Sequence, residues 1–145
     1  RYLNNEEQLT ISELNGYAIF NTEKGDCFHC HSSQLFMDNQ FHNNGLDTEP
    51  FNDLGRAKVT LDASDNGKFK TPTLRNIEMS APYMHDGRFA NLEEVVEHYN
   101  SGGKYSTTID PLMKKLGVGL QLTNQEKIDL VAYLKTLTDN EFITQ

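Results

Sequence analysis

The feature that most restricts this chain is a closely spaced cysteine pair with a histidine directly after it, Cys27-Phe28-His29-Cys30-His31. Three chemistries compete for it. A redox-active dithiol sits at a helix N-terminus after a strand, and no strand–helix–strand pattern surrounds these residues. A zinc site needs a second ligand pair at suitable spacing. His42 stands alone, and no second C-x-x-C exists. The third chemistry is covalent haem attachment, in which both thiols add to the haem vinyl groups and the adjacent histidine coordinates iron from the same turn. One spacing then serves attachment and ligation together. Haem c is the reading these residues favour, with His31 as the proximal ligand. Zinc and a bare dithiol remain the alternatives.

Helix signals flank the motif on both sides. Thr10 is an N-cap with Glu13 three residues on, the pattern of a capping box, and Ile11, Leu14, Tyr17 and Ala18 form an apolar stripe. Gly16 lies inside this helix, where a glycine is tolerated if another helix must cross closely. Thr123 and Glu126 repeat the box ahead of Ile128, Val131, Leu134 and Leu137. That last helix is expected to cross over Gly16. A third helix starts after Asn91, with Leu92, Val95, Val96 and Tyr99 on one face. A short helix is expected over 110–116, with Pro111 in its first turn and Gly117 past its end.

Between His31 and Asn91 no periodicity is sustained, and Asn, Asp and Gly are frequent. A loop this long in a compact domain needs something to organise it. A large apolar disc at the centre would do so. The apolar fraction, 37%, points the same way, since it supports only a modest core. These residues predict an all-α fold with long loops wrapped around one covalent haem c, in a single domain over 1–145.

The chain has 145 residues and a net charge of -8. Without a Lys/Arg cluster it is a poor nucleic-acid binder. Its apolar runs are only a few residues long, so no membrane span is expected. Arg1 is not a start residue and no charged-then-apolar leader follows it. The sequence therefore reads as a trimmed chain or a fragment of a longer one.

Several longer strings narrow the match. They are Gly25-Asp26-Cys27-Phe28-His29-Cys30-His31, Phe41-His42-Asn43-Asn44-Gly45, Lys70-Thr71-Pro72-Thr73-Leu74-Arg75-Asn76, Ala81-Pro82-Tyr83-Met84-His85-Asp86-Gly87-Arg88-Phe89 and Leu92-Glu93-Glu94-Val95-Val96. Together they resemble the C-terminal haem domain of the bacterial di-haem cytochrome c peroxidase family, which includes the MauG-like enzymes. The resemblance implies two haem domains in tandem. The N-terminal one meets peroxide, and the C-terminal one passes electrons to it. With one C-x-x-C-H, this chain resembles the electron-transfer half alone. Its implied partners are the N-terminal peroxidatic haem domain and a small redox donor protein. Its implied location is the periplasm, or export more generally, since haem c is attached on reduced thiols outside the cytoplasm. Calcium is implied only together with the other domain, near Lys70–Thr73.

The distal iron ligand has two candidates. Tyr99 lies on the inward stripe of the third helix, and the resemblance places the family's ligand there, Met in the peroxidases and Tyr in MauG-like members. Met84 sits in a loop before a helix, and thioether sulfur suits haem iron. Tyr99 is the first choice and Met84 the second, with an open iron as the remaining alternative. His85 and Arg75 are candidates for hydrogen bonds to the haem propionates, since Arg binds carboxylate bidentately. His42 reads as structural. A peroxide-reactive haem enzyme in its own right is the competing function, although no Glu is convincingly placed as its acid/base group.

Overall fold

The structure is a computed structural model and describes residues 8–139. Residues 1–7 and 140–145, which the single-domain expectation included, lie outside the described residues. Helix α1 spans Ile11–Phe20, α2 Ala57–Thr60, α3 Leu92–Ser101 and α4 Asn124–Lys135. Both long terminal helices start at the boxes read from sequence. Glu13 N–H donates to Thr10 Oγ1, and the Glu13 carboxylate accepts from Thr10 N–H at 2.6 Å. Thr123 and Glu126 repeat the arrangement at α4.

The crossing of α1 on α4 is set by Gly16. A Cβ there would lie 2.0 Å from the Asp129 carbonyl oxygen and 2.7 Å from Tyr133 Cβ. The two backbones therefore touch, and Phe20 meets Tyr133 edge-on at 5.2 Å. The core grows from this contact. Ile19, Phe20, Leu130, Val131, Tyr133 and Leu134 pack with Leu92 and Val96 of α3 and with Leu74, Tyr83 and Leu122. By helix propensity alone, Gly16→Ala would stabilise by about 1 kcal/mol. The backbone clash outweighs that gain. A net loss of about 2 kcal/mol is expected in denaturant unfolding of the holoprotein.

Asp129 sits buried at the same crossing and accepts from Ser12 Oγ (2.5 Å), Gln125 Nε2 (2.9 Å) and Asn15 Nδ2 (3.3 Å). The Ser12 and Gln125 hydrogen bonds hold its carboxyl below the usual carboxylate range. A lowered folded pKa contributes stability above the unfolded value near pH 4 and loses it as pH falls towards the folded value. Asp129→Asn should cost about 1–3 kcal/mol at pH 7. It should also flatten the fall in stability below pH 4, as seen by acid titration of the melting temperature.

The all-α expectation is corrected by a small sheet. Strand β1, Phe41–His42, pairs antiparallel with β2, Phe69–Lys70, with Phe41 opposite Lys70 and His42 opposite Phe69. The described residues form a mixed domain of four helices and one two-stranded sheet. Strands of two residues are too short to show any alternation along the sequence. The short helix expected over 110–116 is also absent. Asp110 Oδ1 instead accepts from Leu112 N–H and the Asp110 carbonyl from Met113 N–H, giving isolated turns. An Asp side chain that bonds the backbone two residues on competes with helix in this way.

The middle segment is tied by buried polar groups. Asn43 Nδ2 donates to Ser106 Oγ and Thr108 Oγ1, both at 3.0 Å, and Asn43 Oδ1 accepts from Gly45 N–H. His42 is held between Asp110 at 2.6 Å and Asp38 at 2.7 Å. No described helix is long and apolar enough to cross a membrane.

Candidate haem-binding site

The cysteines leave α1 through a tight turn. A Cβ on Gly25 would lie 2.4 Å from the Ile19 carbonyl, and Asp26 adopts a left-handed φ of 59°. Residues Cys27–His29 then form one 3₁₀ turn, closed by Cys30 N–H on the Cys27 carbonyl, and His31 N–H donates to the same carbonyl at 3.0 Å. Cys27, Cys30 and His31 are thus delivered together, with Cys27 packed on the edge of the core.

Both thiols are free, and burial pushes each up to about 12. A redox-active C-x-x-C needs the opposite, a depressed thiol pKa. Zinc is disfavoured as well. Donor atoms of Cys30, Asp38 and His42 lie within 4.8 Å of one another, but both His42 nitrogens are already engaged by carboxylates. Burial alone would lower the His42 pKa. The hydrogen bonds and charges of Asp110 and Asp38 overcome that, so the net shift is upward and the ring favours the imidazolium form. An imidazolium has no lone pair for a metal.

His31 is arranged differently. Its Nδ1 lies 2.9 Å from the Phe36 carbonyl, which fixes Nδ1 as the donor, and the Pro72 backbone also lies within hydrogen-bonding reach of the ring. Burial lowers its pKa and favours the neutral, ligating ring.

Tyr99 and Met84 come from different elements and meet at one residue. The Asn91 cap, whose side chain accepts from Glu94 N–H, sets the start of α3, and Leu92 and Val96 turn one helix face into the core. Tyr99 follows on the same helix. Met84 heads a turn closed by Gly87 N–H on the Met84 carbonyl, and it holds a left-handed φ of 73°. For a non-glycine residue that conformation costs about 1–2 kcal/mol. Asn44, just after β1, places Nδ2 3.2 Å from the Tyr99 hydroxyl oxygen and 3.7 Å from Met84 Sδ. Burial pushes the Tyr99 pKa up and the Asn44 hydrogen bond partly offsets this. Cys27 and Cys30 lie near enough to add to the upward push on Tyr99.

Arg75 and His85 lie on the surface. Arg75 Nε donates to the Gln34 carbonyl at 3.2 Å, and the His85 ring stacks on Phe69 at 3.6 Å. No hydrogen bond joins either to the cysteines, His31, Met84 or Tyr99 among the described residues. Asn44 is the site residue that sequence reasoning missed. Its one signal was membership of the Phe41–Gly45 string.

The residues present fit a haem: two protonated thiols and a histidine that burial keeps neutral on one turn, with a phenol and a thioether converging on Asn44. With crossing terminal helices around them, they define a cytochrome c-type chain. No family model matches it. The chain is a homologue of MauG and the di-haem cytochrome c peroxidases. It is 39% identical over 137 residues to the methylamine utilization protein MauG of Methylorubrum extorquens, covering 93% of this chain and 37% of that protein. It is 34% identical over 157 residues to a cytochrome-c peroxidase of Denitromonas iodatirespirans, covering 90% of this chain and 40% of that one. The crystal structure of a MauG-like protein associated with microbial copper homeostasis has a TM-score of 0.89 and 40% identity, covering 98% of this chain and 48% of that chain. The chain thus spans less than half the length of these relatives.

Proposed function

We propose that this chain is a mono-haem c electron-transfer domain that works as one half of a di-haem peroxidase reducing hydrogen peroxide. Cys27 and Cys30 would hold the haem through thioether bonds. His31 Nε2 would be the proximal ligand, with the Phe36 carbonyl fixing its orientation. Tyr99 is the preferred distal ligand, with Met84 packed beside it. When bound, the haem supplies a one-electron store. The chain would supply the attachment, the two axial groups and a half-buried setting for them.

The observation that carries this reading is the convergence of Tyr99 and Met84 on Asn44, within electrostatic reach of the attachment turn. The partners that follow are an N-terminal peroxidatic haem domain and a small redox donor protein. Calcium belongs to the proposal only together with that further domain. The location that follows is the periplasm, where haem c ligation takes place. The second reading, a MauG-like or directly peroxide-reactive haem, rests on the phenol at position 99.

The test is a visible spectrum of the purified chain, reduced and then ferric with peroxide added. Sharp reduced α and β bands, a pigment-to-protein ratio of about one and a ferric spectrum insensitive to peroxide are expected. Absence of the bands sinks the haem reading. Rapid peroxide consumption by the isolated chain sinks the electron-transfer reading and favours the second.

A further inference from the structure

We propose that Asn44 is a positioning residue that commits this site to the Tyr99 oxygen, rather than the Met84 sulfur, as the distal ligand. The proposal rests on the reading above that places a haem here with Tyr99 over its iron.

One carboxamide nitrogen reaches both rivals, at 3.2 Å from oxygen and 3.7 Å from sulfur. They are unequal acceptors. Thioether sulfur accepts weakly. A phenolate accepts strongly, because the bond is charge-assisted. The two ligands also differ in what they need. A coordinated phenolate oxygen keeps a free lone pair and part of its negative charge, which a hydrogen-bond donor stabilises. A thioether is neutral and needs none. The Asn44 bond is the one hydrogen bond to the Tyr99 oxygen among the described residues.

The backbone that carries the carboxamide is also well held. The Asn44 carbonyl accepts from His98 Nε2 at 3.0 Å, the residue beside Tyr99. Asn43 is anchored to Ser106 and Thr108. Gly45 turns the chain at a φ of 71° and accepts from Lys104 N–H at 2.7 Å. These ties run through the backbone and through neighbours, so a change of the Asn44 side chain leaves them in place. The donor can therefore be removed without moving the loop.

The experiment uses the haem-loaded chain with Asn44→Leu, Asn44→Gln and Asn44→Leu/Met84→Leu. Haem content and far-ultraviolet circular dichroism report that each variant has folded. Asn44→Leu is expected to lose the phenolate-to-iron absorption and to gain the weak ferric thioether band at the red edge of the visible spectrum. Its midpoint potential should rise. The added Met84→Leu change should remove the new band. Asn44→Gln, which keeps an amide donor, should retain the wild-type spectrum. An Asn44→Leu protein with the wild-type spectrum and potential overturns the proposal, and so does one that turns high-spin without thioether ligation. The Tyr99 reading fails on different data, a wild-type chain that already shows the thioether band and does not respond to Tyr99→Phe.

Discussion

Replacing Cys27 and Cys30 together with alanine is expected to abolish covalent pigment and to remove cooperative thermal unfolding. The physical ground is the edge of the core. Cys27, Phe36, Ile77, Phe89 and Val95 pack against the buried cluster but are themselves only partly buried. They lack an apolar partner on one side. A domain's net stability is only about 5–15 kcal/mol, so withdrawing a prosthetic group of haem size from such an edge removes a large part of it. Residual helical ellipticity from α1 and α4 should persist with a broad, sloping melt, as in loosely packed states. The measurement is a thermal scan at far- and near-ultraviolet wavelengths. A colourless double variant with a sharp, coincident transition in both would show that the chain builds its core unaided.

The second large effect concerns the iron. Tyr99→Phe should eliminate the phenolate signature and leave Met84 Sδ as the group nearest the vacated position, since both already share Asn44. A thioether replaces an anionic donor, so ferric iron is less stabilised and the midpoint potential rises. Met84→Leu alone should change neither spectrum nor potential. Tyr99→Phe/Met84→Leu should become high-spin. Electron paramagnetic resonance of the four ferric proteins, with redox titration, decides the matter. If Met84→Leu alone abolishes the low-spin signal while Tyr99→Phe does nothing, the two roles are exchanged, and the chain suits plain electron delivery at higher potential.

The legible parts of the fold were those with a repeating or boxed signal. Thr10 with Glu13 and Thr123 with Glu126 mark their helix starts because the capping box needs those residue types at that spacing. Gly16 marked the crossing because a mid-helix glycine is otherwise unfavourable. β1 and β2 carried no such signal, being two residues each and held by register with a partner some thirty positions away. The 110–116 segment carried a misleading one: a proline near the start and a glycine near the end describe a pair of turns as well as a short helix. The place of Tyr99 on α3, behind Leu92 and Val96, was readable from its stripe. Asn44 was not, because a carboxamide in an irregular segment gains its meaning only from what the fold sets opposite it.

The α1–α4 contact also bears on how the chain reaches its structure. Ser12 and Asp129, which bond across it, are 117 positions apart. Closing a loop of that length early costs roughly 4 kcal/mol in chain entropy. Waiting for the middle segment to organise leaves Ile19, Phe20, Leu130, Val131 and Leu134 uncovered in the meantime, and uncovered apolar faces invite aggregation. Contacts of such sequence separation form slowly, so these faces stay exposed for longer during folding. A lesion at Gly16 would then show first as a lower yield of soluble protein during expression, while the molecules that do mature keep a normal colour.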